Sequence, residues 1–116
     1  MPQTVRVYWG RIRGRKALNF NWSAIDRNST VIITASQWRA DPPGRQADDG
    51  DQQRFVGAAT IRVSNVAPQG PPSDPHHGVT FVVEVESVEA LPVVTDITVL
   101  DGPPGEIVFT GKAGEV

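Results

Sequence analysis

The two histidines of this chain stand side by side in Asp74-Pro75-His76-His77, the first place to look for chemistry. Imidazole is the commonest metal ligand and the one side chain that titrates near neutrality unaided. A carboxylate two residues away could share an ion or orient a ring. Yet a three-histidine zinc or iron site has no third member here, and adjacent residues of an extended backbone point to opposite sides. The segment reads first as a solvated, proline-rich loop. Asp74, His76 and His77 are candidate ligand-contacting residues, and neither a metal nor a cofactor is expected.

Other acids and nucleophiles fare less well. Asp48-Asp49-Gly50-Asp51 offers the hard oxygens that calcium takes, but no glutamate closes a twelve-residue calcium loop around it. No serine sits in a Gly-x-Ser-x-Gly elbow. Ser73 is too close in sequence to Asp74 and His76 for a triad, whose members converge from different elements. Glu84 and Glu86 would share a strand face about 7 Å apart, a separation that suits an inverting glycosidase. Paired acids on an exposed strand are more often solubility residues. With no cysteine, disulfides, thiolate metal sites and cysteine nucleophiles are excluded. The balance leans away from an enzyme.

Aromatic residues suggest a different role. Tyr8 faces away from Trp9 by strand alternation, with Arg6 on its side, and Trp38 ends an apolar run beside Arg39. An exposed ring flanked by arginine can stack on a sugar or another planar ligand, so Tyr8, Trp38 and Arg39 join the candidate set. Trp9 and Trp22 fall on alternating apolar positions and read as core.

The elements that must position these residues are strands. Val5, Val7 and Trp9 alternate with polar neighbours, as do Leu18, Phe20 and Trp22, and the glycines of 10–16 suggest a hairpin between them. Further strands are expected at 30–38, 55–66, 79–86 and 91–100, with a short last one at Ile107-Val108-Phe109. Gly57, Ala58 and Ala59 suggest a bulge in the fourth or a close approach by another backbone. Long loops at 41–51 and 67–78 intervene, the second excluded from strand or helix by its prolines. Residues 46–53 have room for one helical turn at most. Eleven glycines and ten prolines suit short strands joined by tight turns. Together these features predict one all-β domain over residues 1–116, an antiparallel β-sandwich of about seven strands, with a small closed β-barrel as the alternative. If successive strands reverse, loops 10–16, 40–54 and 87–91 meet at one end and loops 23–29, 67–78 and 101–105 at the other.

Charge narrows the partners. A net charge of −2 gives no field for nucleic acid, and no apolar run is long enough to span a bilayer. Residues 1–16 carry five cations and no acid, whereas 84–116 carry seven acids and one lysine, so the two ends are expected to pair across strands. The cations Arg11, Arg13, Arg15 and Lys16 are expected to be neutralised by Asp48, Asp49 and Asp51. The N-terminal residues lack the apolar stretch of a secretory signal, which points to the cytoplasm or to a processed secreted form. Nine arginines against two lysines suggest a GC-rich, bacterial coding sequence. The expected function is a non-catalytic binding module, lectin-like or protein-binding, that uses its end loops on a carbohydrate or protein ligand. The alternatives are a self-assembling oligomer subunit and a small β-fold enzyme with an apolar pocket.

Overall fold

The computed structural model describes residues 2–40, 52–100, 102 and 104–111. They form β1 (Gln3–Ile12), β2 (Gly14–Asn21), β3 (Val31–Ala40), β4 (Gln52–Phe55), β5 (Thr60–Gln69), β6 (Gly78–Glu86) and β7 (Leu91–Val99). All ladders are antiparallel, in a four-stranded sheet β1-β7-β3-β4 and a three-stranded sheet β2-β6-β5. The described residues contain no helix, hence none long and apolar enough to cross a membrane.

The two sheets are linked by one folded ribbon. Residues 3–12 pair with 91–99, and residues 14–21 pair with 78–85, so one long antiparallel pair is bent at Arg13 and at the 87–90 turn. Each half of the ribbon enters a different sheet, and β3 and β5 extend the sheets on the far side. The sandwich curls at that bend instead of closing into a barrel. Its core is aliphatic apart from Phe81 and comes mainly from the central strands: Val79, Phe81, Val83 and Val85 of β6 face Val93, Ile97 and Val99 of β7. Thr95 also points inward, and its hydroxyl accepts a 2.8 Å hydrogen bond from Trp9 Nε1. Buried polar groups need such a partner.

Two bulges set which residues reach this core. β1 gains one residue between Tyr8 and Gly10, so the inward phase passes from Val5, Val7 and Trp9 to Ile12, which is buried. Gly10 supplies the positive φ (86°) there, a conformation costly for any residue with a Cβ. A second register shift in β5 lies between Ser64 and Ala67, where Asn65 has φ 55°. It turns Val66 against the core after Ile61 and Val63.

Several expectations need correction. Residues 10–16 are not a hairpin, because β1 and β2 lie in different sheets and the chain turns a corner at Arg13. The expected strand over 55–66 is two strands, with 56–59 crossing from the edge of one sheet to the edge of the other. At Gly57 the close neighbour is a side chain, since a Cβ there would meet Gln37 Oε1. Pro68, expected in a loop, is inside β5. Its missing N–H is tolerated because β5 is an edge strand. Ile107, Val108 and Phe109 belong to no strand. Gln52 and Gln53 belong to β4, and the rest of the expected helical turn lies outside the described residues, as do Asp48, Asp49 and Asp51.

Candidate ligand-binding face

The end-loop candidates are occupied by structural work. Asp74 Oδ1 accepts the backbone N–H of His76 at 2.8 Å, which closes a local turn. His77 Nδ1 lies 2.8 Å from the Ile25 carbonyl oxygen. A carbonyl only accepts, so the ring proton sits on Nδ1. The His77 carbonyl in turn accepts from Trp22 N at 2.9 Å. These bonds latch the 70–77 loop onto the 22–29 turn, whose Ile25 is fully buried and plugs this end of the sandwich. Loops 23–29 and 67–78 therefore meet as strand reversal implies. Among the described residues, no group of three or more His, Asp or Glu side chains could hold a metal ion.

At the opposite end, Arg11 Nη1 donates to the Ala90 carbonyl at 3.3 Å and Arg13 Nη1 to that of Val88 at 3.2 Å. The basic corner is thus tied to the 87–90 turn by backbone carbonyls. The acids of β6 are matched to arginines: Arg62 bonds Glu86, and Glu84 stands opposite both Arg15 and Arg62. Glu84 and Glu86 lie within a charge ladder, which removes the reason to read them as a catalytic pair.

A different picture holds on the outer face of the four-stranded sheet. Tyr8 and Ser36 flank Val94 in register, and alternation along β3 puts Trp38 on the same face as Ser36. Val94 points away from the core yet is only 1% exposed, whereas Tyr8 is 46% exposed. Sheet spacing separates the Tyr8 and Trp38 backbones by roughly 12 Å, across two inter-strand gaps and two residues. Arg39 follows the other parity and places its guanidinium 5.0 Å from the Phe55 ring centroid. The sequence grouped Arg39 with Trp38, and the pleat separates them.

One step below the aromatic level runs a charged row. Arg6 grips Asp96 through two hydrogen bonds, Nε to Oδ1 at 2.7 Å and Nη2 to Oδ2 at 2.9 Å. Arg54 of β4 reaches the same carboxylate at 3.1 Å. Asp96, on β7 between them, gathers cations from both edges of the sheet. The next level holds a Thr4–Thr98 hydroxyl contact of 2.8 Å. Beside this row opens a groove of about 360 Å³ lined by Arg6, Ser36, Gln53, Arg54, Phe55 and Val56. Sequence reasoning missed Arg54 and Asp96, and only the strand register could have found them.

The hydrogen bond from Arg6 holds the Asp96 carboxyl below its ordinary value of 3.8; burial opposes this, and the positive charges of Arg6 and Arg54 reinforce it. The same contact raises Arg6. A carboxyl depressed in the folded state stabilises the fold above its unfolded pKa and loses that contribution as the pH falls through the folded one. Arg6 is half exposed, so screening limits the pair to about 1 kcal/mol or less at pH 7. Asp96→Asn should therefore lower the urea midpoint slightly at neutral pH and flatten the loss of stability as the pH falls through and below the ordinary carboxylate range. An unchanged acid limb would show that Asp96 is not held this way.

Comparison with known protein families, with characterised proteins and with solved structures finds no match to this chain.

Proposed function

We propose that this domain is a non-catalytic carbohydrate-binding module whose ligand lies on the outer face of the four-stranded sheet. One observation carries the reading: Tyr8 and Trp38 rise from the same face on either side of a covered Val94, beside a groove rimmed by Arg6, Arg54, Gln53 and Ser36. Sugar rings have apolar faces that stack on aromatic side chains and hydroxyls that need fixed donors and acceptors. An open strand face provides both without enclosing the ligand. This choice favours the sheet face over the end loops, where Asp74 and His77 are engaged in holding two turns together.

A glycan array followed by calorimetry on the best oligosaccharide tests the proposal. Tyr8→Ala should weaken binding about tenfold, the loss of one stacking contact, with no change in the urea midpoint. His76→Ala should leave affinity unchanged. Binding that survives Tyr8→Ala but fails in His76→Ala would return the site to the end loop, and no binding to any glycan would overturn the carbohydrate reading.

A further inference from the structure

Among the described residues, nothing pairs with the side of the sandwich bounded by β1 and β2. Both are edge strands, one in each sheet, formed by one run of chain from Gln3 to Asn21. Their inward residues Val5, Val7, Trp9, Leu18 and Phe20 are only partly buried, whereas the inward residues of β6 and β7 next to them are covered. A half-covered apolar seam therefore runs between two unpaired strand edges. Such edges are templates for a further strand.

The same chain carries a segment suited to that seam. Ile107, Val108 and Phe109 are 73%, 69% and 90% exposed and belong to no strand. β-branched and aromatic residues in a row are strong strand formers, and leaving three in water is unfavourable. Charge agrees with shape. The segment begins with Glu106, and Arg15 and Lys16, both exposed, follow Gly14 at the start of β2. The ion pairs among the described residues engage Arg6, Arg54 and Arg62; Arg15 stands opposite Glu84 in register without closing one, and Lys16 is in none of them. β2 is also the better acceptor of the two edges, since it pairs with β6 without a register shift while β1 is bulged at Tyr8.

We infer that two copies of this chain associate by strand addition: residues 106–109 of one copy pair with the edge of β2 in the other, covering the seam with Ile107 and Phe109, which share a face, and bringing Glu106 to the cationic start of β2 at Arg15 and Lys16. The inference is independent of the carbohydrate reading, which uses the opposite face of the other sheet.

Sedimentation velocity on the full chain, from low to high micromolar concentration, provides the test. The full chain should show a concentration-dependent dimer or larger assembly. Ile107→Asp combined with Phe109→Asp should be monomeric throughout, with an unchanged thermal melt at low concentration because neither residue is in the core. Val56→Asp, at a fully exposed position outside the seam, should associate like the parent. Arg15→Glu with Lys16→Glu should weaken association roughly tenfold or more, and Glu106→Lys in the same chain should restore it. A monomeric parent, or an assembly that persists in the Ile107/Phe109 variant, would overturn the inference. An assembly lost in that variant but indifferent to the charge exchange would overturn β2 as the acceptor.

Discussion

Phe81→Ala should lower stability by about 3–5 kcal/mol, a loss read as a lower urea midpoint with an unchanged slope. For a domain of this size that corresponds to roughly 10–20 °C in melting temperature. Phe81 is completely buried at the middle of β6, opposite Leu18 in register. It also meets Trp9 edge-on, with ring centroids 5.9 Å apart and planes at 74°. Truncation would remove the buried ring, forfeit that aromatic contact and leave a cavity between two sheets joined by a bent ribbon, which limits collapse. Phe20→Ala is the informative comparison. Alternation alone assigns both phenylalanines to the core, yet Phe20 lies on the open edge strand and is only partly buried, packed edge-on against Trp22 at 6.3 Å. Its truncation should cost clearly less than that of Phe81, because less area returns to water and the seam can relax. The comparison belongs at low concentration, where association is absent, and equal losses there would mean that the β1–β2 side is covered within the single chain.

Gly78→Ala should be comparably harmful, at about 3 kcal/mol or more, although it adds only one methyl group. Gly78 begins β6 opposite Asn21, where β2 ends. A Cβ at this position would collide with the Phe20 carbonyl oxygen and lie 2.9 Å from Asn21 Cα. Both neighbours are backbone, so no rotamer change can relieve the clash. The β2–β6 pair would have to separate at its end, next to the bond between Trp22 N and the His77 carbonyl. Gly105→Ala is the control, since nothing lies within 4 Å of its would-be Cβ, and it should stay within about 0.5 kcal/mol of the parent. Paired urea titrations of the two variants measure the difference. Equal midpoints would show that β2 and β6 do not approach so closely at Gly78.

These cases show what the sequence made legible. Alternation identified the antiparallel β-sandwich and the inward sets of β6 and β7, because a buried face imposes a period of two on every strand that contributes to it. It also put Tyr8 on the outside. What it could not supply was pairing. A glycine-flanked connection such as Gly10 to Gly14 serves a hairpin or a corner equally well, and only the change of phase from Trp9 to Ile12 hinted at a bulge. Ile107 to Phe109 shows the converse, a run with strong strand propensity that joins no strand among the described residues. Propensity describes a residue's preference, whereas a strand also needs a neighbour. The Arg6–Asp96–Arg54 row was hidden for the same reason, since its members are brought together by register and not by spacing. The opposite charge of the two ends did foretell that β1 meets the acidic C-terminal half, and Arg6 with Asp96 is that pairing.

The bent ribbon also imposes a timetable on synthesis. Gln3 pairs with Val99, and Asn21 pairs with Gly78, so every partner of the first two strands is translated late. At about 5–20 residues per second, a ribosome needs roughly 4–16 s to pass from residue 21 to residue 99. Leu18 and Phe20 have no ladder to join until β6 is made, and Val5, Val7 and Trp9 none until β7 follows. Neither sheet can be completed before β6 and β7 have emerged, because these two strands are the central members of the sheets. The sandwich can therefore form only after both central strands have left the ribosome, and until then the apolar faces of its first two strands stay exposed.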